Sequence, residues 1–247
     1  MLAALALAAS AGTALAADPD ALWKIVHERC VPHEAAHDRP APCALVDLRH
    51  GVARGFVLLK DIRGRTQYLL IPTARVTGIE DPQLLRPGAP NYVADSWRER
   101  GWTERAADRA LPRDALSLAI NSPYARSQNQ LHIHIDCLRP DVRAALRRAA
   151  PALADTWAPL PMPLAGHRYW ARRVVGPRLA GANPFKLLAN GMPGAREAMG
   201  EQTLVVAGAV FRGRPGFILL DDRLDLATGD HAGGEELQDH SCALARQ

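Results

Sequence analysis

From position 130 to position 137 polar and apolar residues alternate without a break, and Gln128 extends the polar set by one step. Gln128, Gln130, His132, His134 and Asp136 are interleaved with Leu131, Ile133, Ile135 and Cys137. Side chains two apart share one face of a strand, so the spacing predicts a strand over residues 130–138 with a dense polar face and an apolar face turned to the core. Shorter apolar runs at 44–48, 55–59 and 67–71, separated by Gly and charged residues, predict consecutive antiparallel strands with Arg63-Gly64-Arg65 as a hairpin tip. Later strands are predicted at 167–174, 203–211 and 216–221.

Helical spacing appears at residues 20–28, where Leu22, Ile25 and Val26 form a stripe, and again at 93–109 and 140–150. Residues 114–120 are expected to continue the packing of the second helical stretch. Pro82, Pro87 and Pro90 mark residues 80–92 as loop. Mixed strands and helices predict an α+β fold. Gly55-Phe56-Val57-Leu58-Leu59 is echoed by Gly216-Phe217-Ile218-Leu219-Leu220, which raises an extension or duplication of the sheet in the C-terminal half. No linker stands out, so residues 18–247 are read as one domain.

Composition refines this picture in three ways. A chain of 247 residues, 48% hydrophobic and 23% charged, can bury a full core. A net charge of +4 is too small to argue for nucleic acid, while a mildly basic surface suits an anionic membrane or a phosphate-bearing substrate. Residues 2–17 carry no charge and end in Ala14-Leu15-Ala16-Ala17, a secretory signal pattern shorter than the roughly 20 residues that span a bilayer. Export to the periplasm, or to the outer face of the inner membrane, is therefore expected, although the usual leading Lys or Arg is missing. In an oxidising compartment Cys30, Cys43, Cys137 and Cys242 predict two disulfides. Three pairings are open: closeness favours Cys30 with Cys43, which leaves Cys137 for Cys242, and the alternative is that Cys137 is a small buried core residue.

The chemistry sits on the alternating strand. Two imidazoles beside a carboxylate on one face are suited to nucleophilic attack, proton transfer or metal binding. Residues 121–130, rich in amides and turn formers, are suited to hydrogen bonding phosphate oxygens. Gln128 to Asp136 resembles the Gln-x-x-x-His-x-His-x-x core of the histidine-triad hydrolases and transferases, with Asn121 seven residues upstream. Asn121-Ser122, Ser127-Gln128-Asn129-Gln130, His132-Ile133-His134-Ile135 and Arg139-Pro140-Asp141-Val142 together resemble the CDP-diacylglycerol pyrophosphatase family. Ile71-Pro72-Thr73, Thr77-Gly78-Ile79-Glu80, Ala89-Pro90-Asn91-Tyr92, Asn183-Pro184-Phe185 and Gln238-Asp239-His240 extend that resemblance along the chain.

The resemblance implies an antiparallel histidine-triad-like sheet with flanking helices. It also implies hydrolysis of CDP-diacylglycerol to CMP and phosphatidate at a membrane surface, without a cofactor or metal, and pairing into a homodimer. His134 is implied as the nucleophile, with His132 in support and Asn121, Gln128, Asn129 and Gln130 around phosphate and ribose. Arg126 is a nearby cation. Asp136 stands where the triad has its third histidine, and there it is expected to orient a histidine, carry a proton or accept a hydrogen bond away from phosphate.

Two rival readings start from the same strand. His132-x-His134-x-Asp136 resembles part of a zinc-hydrolase signature, with Cys137 where its last histidine belongs and with His167, His231 and His240 as distant candidates. An exported carrier of nucleotide lipids needs the pocket without a reactive His134. The other histidines, His27, His33, His37 and His50, are read as surface or loop residues, and His167 as a packing residue. Asp239-His240-Ser241 cannot form a relay by adjacency.

Overall fold

The computed structural model describes residues 18–246, so the signal pattern at 1–17 lies outside the described residues. Nine strands form one antiparallel sheet: β1 (Leu45–Asp47), β2 (Phe56–Lys60), β3 (Tyr68–Pro72), β4 (Leu116–Ile120), β5 (Ile133–Cys137), β6 (Ala158–Pro159), β7 (Trp170–Val175), β8 (Leu204–Phe211) and β9 (Arg214–Asp221). Their spatial order is β1-β2-β3-β5-β4-β8-β9-β7-β6, and the pairing of β4 with β8 makes the two halves of the chain one continuous sheet. The two echoed pentapeptides fall on β2, between β1 and β3, and on β9, between β8 and β7.

Residues 114–120 differ from expectation. Their alternation is hidden because β4 is buried on both faces at all five positions, so Leu116-Ser117-Leu118-Ala119-Ile120 reads equally as buried helix or central strand. The helical stretch at 93–109 is two helices, α3 (Tyr92–Glu99) and α4 (Gly101–Ala106). Asn91 caps the first by accepting from the Ala94 N–H at 3.1 Å, and Gly101 is a poor residue for a continuous helix interior. The opening helix is longer than its stripe, running from α1 (Ala21–Lys24) through a π-helical turn (Ile25–Cys30) into α2 (Val31–His37). α5 (Pro140–Ala149) lies where it was expected, with Pro at its first turn. The short α6 (Pro184–Gly191) and the edge strand β6 were not anticipated.

The two faces of the first half-sheet carry different covers. Leu58, Leu70, Ile133 and Ile135 point into the large core, against which α3 and α4 pack. Val57, Leu69 and Ile71 point the other way and meet Leu22, Ile25, Val26 and Cys30 of the opening helix. His134 pairs with Leu69, so it emerges on this second face, beside the helix. The disulfides are Cys30–Cys43 and Cys137–Cys242, the first holding the helix to the start of β1 and the second holding the C-terminal segment to the end of β5.

Candidate active site

β5 is not the half-exposed strand that alternation suggests. Both of its faces are buried along its length, and it begins only at Ile133, so His132 sits at its entrance. The imidazoles of His132 and His134 meet edge to face with centroids 4.9 Å apart. Across the sheet His134 has Leu69 on one side and Ala119 on the other, and the small Ala119 leaves room beside the ring. Both rings line a cavity of about 530 Å³. Its walls are apolar on one side, from Leu22, Ile25, Leu59 and Leu69, and polar on the other, from Asn121, Gln128 and Glu235.

His132 Nδ1 lies 2.7 Å from the Gln130 carbonyl, an acceptor, so this nitrogen carries a proton and Nε2 is left with the lone pair. His134 is held at Nδ1, with the Gln67 carboxamide nitrogen at 2.9 Å and Glu235 Oε1 at 3.4 Å. Its Nε2 is buried and has no partner. Burial pushes the His134 imidazole down to about 3 and also lowers His132, so both rings are neutral at ordinary pH.

A chain of alternating charge runs away from His134. Glu235 Oε1 lies 3.4 Å from His240 Nε2, and His240 Nδ1 donates to Asp136 Oδ2 at 2.8 Å. Asp136 Oδ1 accepts from the Thr66 hydroxyl at 2.7 Å and from the Cys137 N–H at 2.8 Å. Hydrogen bonds to Asp136 and then to Glu235 raise His240 to about 10. Burial pushes Glu235 up, but His240, His134 and Gln67 together hold its carboxyl well below the usual range. Burial raises Asp136, and its three donors oppose that rise.

Several expected contacts fall elsewhere. Asp136 is fully buried and does not line the cavity, because the C-terminal segment covers the end of β5, so it reaches the pocket only through His240 and then Glu235. Gln130 is also fully buried, and its amide binds the carbonyls of Pro72 and Ala74 at 3.0 and 2.9 Å. Asn129 is exposed and outside the cavity, with its N–H donated to the Pro19 carbonyl at 2.7 Å. Gln128 lines the cavity, but its amide accepts from the Leu22 N–H at 3.0 Å and donates to the Asp18 carbonyl at 2.9 Å, tying down the start of the opening helix. Arg126 does line the cavity, with its guanidinium paired to Glu80, Nη1 to Oε2 at 2.8 Å.

Asn121 stays at the cavity wall and brackets Glu235, accepting from its N–H at 3.1 Å and donating to Oε2 at 3.3 Å. Two further cations at the cavity, Lys60 and Arg63, come from the β2–β3 hairpin, where Lys60 Nζ also donates to the Asp61 and Gly64 carbonyls at 2.8 and 3.0 Å. Gln67, Glu235, Lys60 and Arg63 were missed in the sequence, and His240 was set aside. The one available signal was Gln238-Asp239-His240, whose likeness to the family pattern gave that histidine more weight than its neighbours did.

His132, His134 and Asp136 do not converge on a common point. Among the described residues, the His, Cys, Asp and Glu side chains spaced for a cation are those of a different cluster, at His167. The profile of the CDP-diacylglycerol pyrophosphatase family matches residues 17–246. A CDP-diacylglycerol pyrophosphatase from Yersinia pestis is 46% identical over 225 residues, covering 91% of this chain and 84% of that relative. The chain belongs to the CDP-diacylglycerol pyrophosphatase family.

Proposed function

We propose that this enzyme cleaves the pyrophosphate of CDP-diacylglycerol into CMP and phosphatidate, on a histidine-triad-like half-sheet, through a nucleotidyl intermediate on His134. The observation that carries the mechanism is the unpartnered His134 Nε2 at the cavity, with Nδ1 fixed from behind by Gln67 and Glu235. A carboxylate behind Nδ1 favours a proton there. The Gln67 amide donates to that same carboxylate, to Glu235 Oε1 at 2.9 Å, and holds it beside the ring. Nε2 then holds the lone pair.

Nε2 attacks the phosphorus next to cytidine, the bond to the phosphatidate oxygen breaks, and phosphatidate leaves as a phosphate monoester that needs little acid assistance. Phosphorylation at Nε2 with a proton on Nδ1 gives the ring a positive charge, which Glu235 faces directly. Water then attacks the same phosphorus, with His132 Nε2 available to take its proton, and CMP is released. Lys60 and Arg63 are the cations placed for the pyrophosphate. A cavity of about 530 Å³ falls within the range of about 300–1,000 Å³ typical of small-ligand sites, which suits the nucleotide headgroup and leaves the acyl chains at the rim.

Rapid acid-free quenching of enzyme with cytidine-labelled substrate tests this reading. A base-stable, acid-labile cytidylyl group on wild-type protein, absent from His134→Ala, is expected. A label that persists in His134→Ala, or turnover without any covalent species under single-turnover conditions, refutes it. Bound substrate with no turnover by the wild type would favour the carrier.

A further inference from the structure

A second cluster of chemistry lies behind the C-terminal turn, away from the nucleotide cavity. His167 precedes β7, Asp222 follows β9, and Asp230 closes the turn that begins at Asp225. One donor atom from each lies within 4.8 Å of the other two. Asp222 is 2% exposed and Asp230 6%. Asp222 Oδ2 is sealed from solvent and, with the carboxyl ionised, meets no donor among the described residues, while the Asp230 carboxyl lies within hydrogen-bonding reach of the group. Asp230 Oδ1 accepts from the Ala232 N–H at 2.9 Å and lies 3.7 Å from His167 Nδ1. The same His167 nitrogen is 3.0 Å from Glu236 Oε1, which also accepts from the Tyr169 hydroxyl at 2.7 Å.

Three carboxylates around one imidazole, two of them buried, need a positive charge among them. Burial and the facing Asp230 push the Asp222 carboxyl up, and, against burial, Glu236 raises the His167 imidazole, so the charge comes either from protons on these groups or from one cation. Geometry separates them in favour of the cation. Around tetrahedral zinc, bonds of about 2.0–2.2 Å set ligand atoms roughly 3.4 Å apart, close to the 3.7 Å between His167 Nδ1 and Asp230 Oδ1. One cation reaches all three groups at once, whereas protons serve them only in pairs, His167 with Glu236 and Asp222 with Asp230. The donor set selects the ion, since calcium takes six to eight oxygens and magnesium keeps several waters, whereas one imidazole nitrogen with two carboxylates suits zinc.

We propose that His167, Asp222 and Asp230 form a divalent-cation site of zinc type, separate from the catalytic histidines. Binding displaces the His167 Nδ1 proton and draws the three donors together. Its consequence for the active site is mechanical. Asp230 and Glu236 bracket the stretch that carries Glu235, and Gly234 lies so close to β4 and β8 that a Cβ there would come within 2.6 Å of Val205. Fixing Asp230 to the β9 end therefore fixes the approach of Glu235 to His134.

The test is titration of chelator-stripped full chain with Zn²⁺, followed by calorimetry and by thermal melting. Wild type and His134→Ala are expected to bind one equivalent, with melting raised by about 5 °C or more at a hundredfold excess over Kd. Asp222→Asn and Asp230→Asn are expected to melt cooperatively yet lose both the equivalent and the shift. The proposal is overturned if stripped wild type takes up no stoichiometric zinc, or if zinc binding disappears in His134→Ala but persists in Asp222→Asn. It is also overturned if Asp222→Asn matches or exceeds the stability of zinc-loaded wild type, since a carboxamide replaces a protonated carboxyl without loss.

Discussion

His134 is a free base at neutral pH because burial, and then the neighbouring His132, take its pKa down to about 3, and this separates its behaviour from that of an ordinary histidine. The kcat/KM profile is therefore expected to lack an inflection near 6.5 and to stay level from about pH 5 to 9, then to fall toward pH 10 as His240 loses its proton. An inflection near 6.5 that disappears in His134→Gln would contradict this assignment. His240 also links stability to pH. Its folded pKa lies above the unfolded value of 6.5, so its contribution is fully present below about pH 6.5 and is lost as pH rises through about 10. The stability difference between wild type and His240→Gln, measured by urea unfolding, should shrink from pH 6 to pH 10. Glu235→Gln keeps the shape and removes the charge behind His134; kcat is expected to fall about 10²-fold with KM little changed, by analogy with loss of one group facing transition-state charge. Of these residues only His132 and His134 were legible in advance, because two positions on one strand share a face whatever the rest of the chain does. Gln67 and His240 lie 67 and 104 positions from their partners His134 and Asp136, and only the fold brings them there.

The C-terminal segment acts as a clamp on β5, and it was the least readable element. It has no regular periodicity, being two short 3₁₀ turns, Gly234–Leu237 and Ala243–Arg246, joined by irregular chain, so hydrophobic spacing carried no information about it. Its anchors are specific contacts. Gln238 donates to the His134 carbonyl at 3.2 Å, and Cys242 is bonded to Cys137. The tip of the β2–β3 hairpin presses on the same segment, since Gly64 has φ of +62° and a Cβ there would come within 2.4 Å of His240. Gly64→Ala is accordingly expected to lower kcat more than its small volume suggests, with loss of the high-pH limb that His240 produces. The two disulfides make a controlled comparison. Their cysteines are 105 and 13 positions apart, so chain entropy assigns about 4.7 kcal/mol to Cys137–Cys242 and about 3 kcal/mol to Cys30–Cys43. Replacing the first pair by Ala should reduce kcat as well as stability, because it frees the segment behind His134. Replacing the second should act mainly on KM, because it loosens the opening helix that supplies Leu22 and Ile25 to the cavity. Thiol titration of denatured, unreduced protein should detect no free thiol. The strands, by contrast, were legible where polar and apolar residues alternate, as at β5, or where turn residues bound an apolar run, as at β2 and β9, and illegible at β4, whose uniformly buried residues read equally as helix.

At the scale of the whole molecule, the proposed substrate brings acyl chains that a headgroup-sized cavity leaves outside. No helix among the described residues is long and apolar enough to cross a membrane. The cavity mouth instead carries two large side chains that the fold leaves uncovered: Ile62, 99% exposed at the β2–β3 hairpin, and Tyr124, 53% exposed on the facing loop. Lys60 and Arg63 flank Ile62 on the same hairpin. An exposed apolar side chain between cations is the composition of a surface that enters the headgroup layer of an anionic membrane. Burial of one Ile side chain is worth about 1.5–3 kcal/mol, which corresponds to about 10- to 100-fold in association with vesicles. Ile62→Asp is therefore expected to raise the apparent KM for CDP-diacylglycerol in phosphatidylglycerol-containing vesicles by at least about 10-fold. Turnover of a short-chain, water-soluble analogue should be unchanged by the same substitution, since Ile62 lies at the rim and touches no reacting group. Raising salt should weaken vesicle binding of wild type through Lys60 and Arg63 without altering hydrolysis of the soluble analogue. Equal loss on both substrates would place Ile62 in headgroup binding, and no loss on either would mean that the membrane is met by another surface.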